Sequence, residues 1–277
     1  MVKLSVNINK IATLRNARGG NTPNLLEMTH DIQLFGADGI TIHPRPDQRH
    51  ITYNDAKNLP SVVNKEFNIE GNPTEKFVKL VCSIKPTQVT LVPDSENVIT
   101  SNAGWDTIEN KNLLKDVTEE FKKFGIRTSI FVSPDLKFVE GASLVGSERI
   151  ELYTERYASN FVKGNFDEIE RYIKASELAN SLGMGVNAGH DLNLNNIEFF
   201  VESLPFLDEV SIGHALISES LYLGIENVIN IDPTNDDDYT VYVWHWHKSK
   251  NTTFDLEFEL NVVTRFAFYD EGKVIAR

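Results

Sequence analysis

The chain of 277 residues contains a single cysteine, Cys82, so no disulfide can form within it. It also has no apolar run approaching the roughly 18 residues that a membrane-spanning helix needs. The first residues, 1–7, lack the long apolar core of a secretory signal peptide. Together these features predict a protein of the cytoplasm, where thiols stay reduced.

Basic residues are scarce, because 27 Lys and Arg stand against 40 Asp and Glu and give a formal net charge of −13. An acidic protein is repelled by polyanions, so we expect neither nucleic acid nor an anionic membrane as a partner. The sequence also lacks a nucleotide-binding glycine loop and any pair of ligands at metal-binding spacing. It therefore predicts no metal and no organic cofactor, and any anion site has to be a local basic pocket.

What the chain does contain is a series of short β-branched runs, each followed by a polar or glycine-containing turn. There are eight of them, at residues 4–8, 39–42, 66–69, 88–92, 127–132, 149–153, 185–188 and 209–212. Helical patterns fill most gaps, as at 113–124 and 166–182, and several end in a glycine stop at Gly36, Gly125 or Gly183. Eight strands alternating with helices predict a (β/α)₈ TIM barrel. The alternative is an open doubly wound sheet, which would carry a glycine-rich loop after the first strand, where Asn-Ile-Asn-Lys stands instead.

The pattern changes near residue 230. Residues 218–229 are predicted to begin a last helix, and an acidic, turn-forming stretch follows at 232–238. Beyond it, segments 239–246, 253–260 and 263–269 alternate apolar and polar residues at strand spacing, and 270–273 is typical of a hairpin turn. The sequence thus predicts a barrel domain at 1–231, followed by an acidic linker and β-rich tail at 232–277 that is too small for a core of its own.

Polar residues gather where the predicted strands end. The active site of an α/β barrel forms at the C-terminal ends of its strands. The residues found there are Asn7, Asn9 and Lys10, with Arg15 and Arg18 just beyond; His43, Arg45, Arg49 and His50; Glu70; Thr100; Glu151; Asn187 and His190; and Gly213 and His214. Singly, each has a simpler explanation, such as an ion-pair partner or a surface charge. Their shared location favours one site.

Two groups of these residues favour phosphate. Segments 187–191 and 211–215 follow strands seven and eight, which commonly form the phosphate site of such barrels. Arg45, Arg49 and His50 would form a second anion site across the mouth. We therefore expect small phosphorylated substrates, either one bisphosphate or two phosphorylated molecules. His43, Glu70 and His190 lie between the two predicted sites and suit stepwise proton transfer.

Five segments, in order and spread over residues 3 to 230, resemble the pyridoxine 5′-phosphate synthase family: 11–19, 36–41, 43–51, 186–190 and 212–215. The resemblance implies a (β/α)₈ barrel that condenses 3-amino-2-oxopropyl phosphate with 1-deoxy-D-xylulose 5-phosphate. The products would be pyridoxine 5′-phosphate, phosphate and water, formed without a metal or organic cofactor. It also implies a homo-oligomer built from dimers, up to an octamer.

The resemblance further implies a role for each matched residue. His43 and Glu70 would accept protons, His190 would donate one, and Glu151 would stabilise charge in the transition state. The aminoketone would contact Asn7 and Arg18 and rest its phosphate on Asp191, Gly213 and His214, largely through backbone N–H groups. The sugar phosphate would be held by Asn9, Lys10, Arg45, His50 and Thr100.

The chain departs from the family pattern at three places. Asn9-Lys10 replaces the Asp-His of the best-known members, Asp191 stands where glycine is usual, and the β-like tail replaces the end of the chain. A carboxylate beside a phosphate is unfavourable, so we expect the Asp191 side chain to face away. These departures motivate an alternative, a barrel that binds phosphorylated ligands without catalysis. The retained acids and bases, Glu70 among them, favour the enzyme.

Overall fold

The structure, a computed structural model, describes residues 2–94 and 103–230, and the backbone of 267–270 and 273–276. The chain divides into two compact units, Met1–Ile229 and Asn230–Arg277. Thr100, expected to bind the sugar phosphate, lies outside the described residues.

The first unit is a closed barrel of eight parallel strands, in which each strand pairs with the next and the first pairs with the last. The strands are β1 Lys3–Asn7, β2 Gly39–Ile42, β3 Glu66–Gly71, β4 Gln88–Leu91, β5 Arg127–Val132, β6 Arg149–Tyr153, β7 Gly185–Gly189 and β8 Leu207–Ile212. Pairing of β1 with β8 closes the sheet and rules out the open doubly wound alternative. The predicted TIM barrel is confirmed.

Helices follow the strands around the barrel. They are α1 Asn9–Arg18, α2 Leu25–Leu34, α3 Tyr53–Asn58, α4 Glu75–Ile84, α5 Lys111–Lys123, α6 Leu136–Leu144, α7 Glu155–Val162, α8 Ile169–Ser181, α9 Ile197–Ser203, α10 His214–Leu223 and α11 Ile225–Asn230. Short 3₁₀ turns occupy Leu59–Ser61 and Phe166–Glu168. None of the helices in the described ranges is long and apolar enough to span a membrane.

The end of the barrel differs from the sequence prediction. One helix was expected to start at residue 218, but α10 starts at His214 and ends at Leu223, and α11 follows separately. Gly224 between them has φ 82°, a left-handed conformation that cannot continue an α-helix and favours glycine. The same conformation ends helices at the predicted stops Gly125 and Gly183, where φ is 72° and 77°.

Alternate residues along the strands face opposite sides of the barrel wall. One set is apolar and joins the core shared with the helices: Val6, Ile40, Ile69, Val89, Ile130, Ile150, Val186 and Val210. The other set faces the axis and is polar around the ring: Ser5, Thr41, Asn68, Thr90, Ser129, Asn187 and Ser211. This interior differs from the branched aliphatic layers usual in such barrels.

The polar interior is hydrogen bonded from strand to strand. The Ser5 and Thr41 hydroxyls lie 2.8 Å apart, the Asn68 amide donates to Thr41 at 3.3 Å, and Thr90 donates to Asn68 at 3.1 Å. Buried polar groups need such partners. Two residues further along the same strands, the same alternation turns Asn7, His43 and Glu70 toward the axis at the barrel mouth.

The second unit contains one antiparallel pair within the described residues, β9 Ala267–Asp270 and β10 Lys273–Ala276, with Asp270 opposite Lys273. This is the position of the predicted hairpin. The other predicted tail strands, 239–246 and 253–260, lie outside the described residues. The division at residue 231 and the role of the tail stay predictions.

Candidate active site

The turn from β1 to α1 organises one side of the barrel mouth. The Asn7 amide donates to Glu70 Oε2 at 3.4 Å, while its oxygen accepts from the Asn9 backbone N–H at 3.1 Å. The Asn9 side chain in turn accepts from the backbone N–H of His43 at 2.9 Å. Three predicted site residues from β1, β2 and β3 are thereby fixed relative to each other.

His43 and Glu70 face each other, and burial shifts the pKa of each toward its uncharged form. Burial, reinforced by the charges of Arg45, His50 and Arg49, lowers the pKa of His43 well below its usual value. Burial, reinforced by Glu151 and Asp94 and opposed by Arg45, raises the pKa of Glu70 well above its usual value. The distance from His43 Nδ1 to Glu70 Oε2 is 3.8 Å, which is too long for a hydrogen bond. One can accept a proton and the other can donate one.

Glu151 lies buried across the mouth on β6. Burial raises its pKa to about 7, against the charge of His190 and the hydroxyl of Thr90. Its Oε2 has no hydrogen-bond partner among the described residues. A Cβ at Gly189 would lie 3.0 Å from Glu151 Oε1 and 2.7 Å from the Ser211 carbonyl oxygen. The close approach of β7 to this carboxyl group thus requires glycine at position 189.

His190 directly follows β7 in a left-handed conformation, with φ 76°. Such a backbone is unusual for a residue with a side chain and is held by its surroundings. The Thr154 hydroxyl donates to the carbonyl of Gly189, and Tyr153 meets the His190 ring edge-on at 5.1 Å between centroids. The ring orientation is thereby restricted from two sides.

The Asp191 carboxylate contacts the imidazole of His190, with 2.7 Å from Oδ2 to Nδ1. The pKa of Asp191 is lowered by this hydrogen bond and by the charges of His190 and His214, against the effect of burial. An ionised Asp191 accepts the proton of Nδ1 and leaves Nε2 of His190 for another partner. Sequence inspection missed this pair and assigned Asp191 only a backbone contact.

The residues expected to hold the second phosphate lie on the loop after β2. Arg45 binds Asp94 at 2.6 Å, and both side chains are buried. His50 Nδ1 accepts from the Ile51 N–H at 2.9 Å. Burial and the charges of Arg45, Arg49 and Lys10 lower the pKa of His50 to about 4, with Asp47 opposing them. His50 is therefore neutral at pH 7, with its proton on Nε2.

A recess of about 390 Å³, including space open to solvent, lies beside this loop. Its lining includes Arg45 and Arg49 as well as Asn72, Thr74 and Asp94. Asp94 is a site residue that the sequence did not reveal, because it follows β4 without any recognisable motif. Its carboxylate partly offsets the charge of Arg45.

Gly213 and His214 start α10 beside β1. A Cβ at Gly213 would lie 3.1 Å from Asn7 Cβ, so this helix N-terminus adjoins the Asn7 and Glu70 pair.

Arg18, expected to contact the aminoketone, is exposed at the far end of α1. Helix geometry places Arg18 about 13 Å from Asn9 along the axis of α1. The Arg18 side chain therefore lies away from the barrel mouth of its own chain. No three His, Cys, Asp or Glu side chains in the described ranges are grouped to hold a metal ion.

Comparison with known proteins gives the family. Residues 4–232 match the family described as "Pyridoxal phosphate biosynthesis protein PdxJ". The chain belongs to this family. The resemblance found in the sequence is thereby confirmed, and the tail beyond residue 232 lies outside the match.

Named relatives agree over nearly their whole length. The chain is 63% identical over 231 residues to "Pyridoxine 5′-phosphate synthase" of Flavobacterium johnsoniae, covering 83% of this chain and 98% of that protein. It is 62% identical over 229 residues to the protein of the same name from Christiangramia forsetii, covering 83% and 97%. Among solved structures, thiamine phosphate pyrophosphorylase from Pyrococcus furiosus superposes with a TM-score of 0.54 at 14% identity, over 82% of this chain and 92% of that chain. That likeness concerns the fold alone.

Beneath the site, Glu209 lies almost fully buried on β8. Its Oε1 accepts from the Asn187 amide at 3.2 Å, and the Asn187 oxygen accepts from Arg149 at 2.6 Å. Burial raises the pKa of Glu209 to about 7, with Arg149 opposing and Glu151 reinforcing the shift. This carboxyl group therefore gives the barrel a pH-dependent stability that can be measured separately from activity.

The substitution Glu209→Gln should change how stability depends on pH. Folding raises the pKa of Glu209 from 4.5 to about 7, because the folded barrel favours the protonated carboxyl group. The stability that this protonated group contributes is fully present below pH 4.5 and is lost as pH rises through 7. Glutamine does not ionise, so the variant does not lose stability in this way as pH rises. Between pH 5 and pH 8, the free energy of unfolding of the variant relative to the wild type should rise by roughly 1–3 kcal/mol. Urea titrations at both pH values measure it, and an unchanged difference would contradict the shift.

Proposed function

We propose that this chain is a pyridoxine 5′-phosphate synthase. It would condense 3-amino-2-oxopropyl phosphate with 1-deoxy-D-xylulose 5-phosphate to give pyridoxine 5′-phosphate, phosphate and water. The observation that carries the proposal is the meeting of His43, Glu70, Glu151 and His190 at one barrel mouth, with three of them buried or nearly buried. Family membership supplies the reaction, and this convergence supplies the groups that can perform it.

The first steps of the condensation require a base. An amine that is protonated in water has to lose a proton before it can add to a ketone. His43 suits this task, since its lowered pKa leaves a neutral imidazole at pH 7. The raised pKa of Glu70 favours its protonated form, which can give a proton to a departing hydroxyl group and then accept one in a later step.

The later steps require a proton donor on the opposite side. In the proposed mechanism His190 delivers a proton from Nε2, while Asp191 stabilises the imidazolium through Nδ1. Glu151, close enough for its charge to interact with that of His190, would stabilise positive charge that develops on the ring-closing intermediate. The paired acids and bases thus face each other from β2–β3 and β6–β7.

Two phosphate sites would flank these groups. The aminoketone phosphate would rest at the N-terminus of α10, on backbone N–H groups of Asp191, Gly213 and His214, with Asn7 beside it. The sugar phosphate would be held by Arg45 and by the Nε2–H of His50. Asn9, Lys10 and Thr100 are the further contacts that the family resemblance implies, with Arg18 on the aminoketone.

We also propose that the protein is a cytoplasmic homo-oligomer. Apolar side chains on α1 and α10 are exposed and would suit a contact between subunits: Leu14 is 57%, Leu221 77% and Tyr222 90% exposed. The single cysteine suits a reducing compartment. Sedimentation measures the assembly directly.

The proposed reaction is tested by mixing the purified full chain with both phosphorylated substrates. Formation of the pyridoxine ring gives a new ultraviolet absorbance, and release of inorganic phosphate should match it one to one. Binding of either substrate in calorimetry without product would instead support the ligand-binding alternative. Omission of one substrate at a time is the control.

The substitution Glu70→Gln is expected to lower kcat by roughly 10²–10⁴-fold, because glutamine cannot exchange a proton. Because the raised pKa of Glu70 favours the neutral carboxyl group, the isosteric amide should leave folding and both KM values nearly unchanged. Steady-state kinetics together with a melting curve measure this. Wild-type turnover in the folded variant would rule out the acid/base role of Glu70.

Asp191→Asn tests the carboxylate on His190. The amide keeps the size of the side chain but removes the charge that stabilises an imidazolium, so kcat should fall by roughly tenfold or more. KM for the aminoketone should stay constant or decrease, because a negative charge near its phosphate is lost. Initial rates at varied substrate concentrations distinguish the two parameters. An increase in that KM at unchanged kcat would mean that Asp191 acts on binding rather than on His190.

A further inference from the structure

A buried ion pair joins α1 to the start of α3. The Arg15 guanidinium binds the Asp55 carboxylate through two hydrogen bonds, at 2.7 and 2.8 Å. The side chains are only 10% and 14% exposed. This two-pronged geometry fixes both the distance and the orientation of the partners, which a single contact would not do.

Asp55 also binds Thr52, the last residue of the loop before α3. Its Oδ2 accepts from the Thr52 backbone N–H and from the Thr52 hydroxyl, both at 2.8 Å. The Thr52 hydroxyl also caps α3 by accepting from the Asp55 N–H at 3.0 Å. Residue 52 is thereby held two positions after His50, at the end of the phosphate-binding loop.

Arg15 also orients the neighbouring amide of Asn16. Its Nε and NH2 groups both donate to Asn16 Oδ1 at 3.0 Å, so the Asn16 nitrogen is turned the other way. That nitrogen donates to the backbone carbonyl of His50 at 2.7 Å and of Arg49 at 3.3 Å. One arginine therefore holds the loop from both the Asn16 and the Asp55 side.

The loop held in this way presents the predicted phosphate ligands. His50 keeps its ring fixed through the Ile51 N–H at 2.9 Å, so any shift of the backbone at 50–51 moves the imidazole with it. The family resemblance assigns no role to Arg15, Asn16 or Asp55. Their contacts converge on the backbone around His50.

We infer that Arg15 is a positioning residue of the sugar-phosphate site, acting through Asn16 and Asp55 to hold His50 and Arg49 where they meet the phosphate. The inference rests on the proposed function, because it assumes that this loop binds the phosphate of 1-deoxy-D-xylulose 5-phosphate. The Arg15 guanidinium is directed at Asn16 and Asp55, so Arg15 would act through these two residues. Loss of the Arg15 side chain should weaken binding of 1-deoxy-D-xylulose 5-phosphate and leave binding of the aminoketone phosphate unchanged.

The test compares Arg15→Met with the wild-type full chain. KM for the deoxyxylulose phosphate should rise at least tenfold, while KM for the aminoketone phosphate and kcat stay within about twofold. The dissociation constant of deoxyxylulose phosphate alone, measured by calorimetry, should rise in parallel. Arg171→Met is the matched control, since it removes another arginine–aspartate pair, Arg171–Asp135 at 2.6 Å, and should leave both KM values unchanged.

A second variant keeps the test decisive if Arg15→Met does not fold. Asn16→Ala alters only an exposed side chain, yet it removes the amide nitrogen that donates to the His50 and Arg49 carbonyls. It should therefore raise KM for the deoxyxylulose phosphate by a smaller factor than Arg15→Met does. Folded variants with both KM values unchanged would overturn the inference, as would an equal rise in both. If the wild type binds deoxyxylulose phosphate but forms no product, the proposed function fails, and the calorimetric comparison still decides the role of Arg15.

Discussion

Burial of ionisable side chains inside a closed ring of strands is the constraint on which the site depends. Every second strand residue has to face the axis, and in this chain most of those residues are polar. In one layer several of them bond across strands, as Ser5 does to Thr41 and Thr90 to Asn68, while the Ser129 and Ser211 hydroxyls have no hydrogen-bond partner among the described residues. The next layer, at the mouth, carries groups that titrate. Burial is the largest cause of the pKa shift at His43, Glu70 and Glu151 alike, so closure of the barrel itself produces the acids and bases that the chemistry needs.

A second constraint is the attachment of the β2–α3 loop to α1. The helix contacts both ends of that loop, through Asn9 at the His43 backbone and through Asn16 at the His50 backbone. A loop of proline and charged residues would otherwise lose considerable conformational entropy on binding a phosphate. Because α1 already fixes the loop, binding of a phosphate requires little further loss of conformational entropy.

Sequence patterns predicted the strands and the residues at their ends, because alternation and glycine stops depend on neighbours along the chain. They did not predict pairs that depend on three-dimensional placement. Arg45 and Asp94 are 49 positions apart, and Arg15 and Asp55 are 40 apart, with no motif that connects either pair. The contact of Asp191 with His190 joins adjacent residues, yet it requires the left-handed backbone at His190, which nothing in the sequence signals. The break at Gly224 was missed in the sequence prediction, although a glycine is a typical helix end.

The electrostatic balance of the mouth follows from what it is proposed to bind. Each phosphate brings a charge of about −1.5 to −2 at pH 7, into a protein whose own net charge is −13. Ionised Glu70 and Glu151 would repel both substrates in a medium that screens poorly. Their raised pKa values favour the protonated, uncharged forms and so reduce that repulsion. Asp191 is the exception, and its charge is offset by the two histidines, His190 and His214, that lower its pKa. An acidic protein can thus accommodate the two anionic substrates proposed for it, because burial and pairing reduce the negative charge of the acids nearest to them.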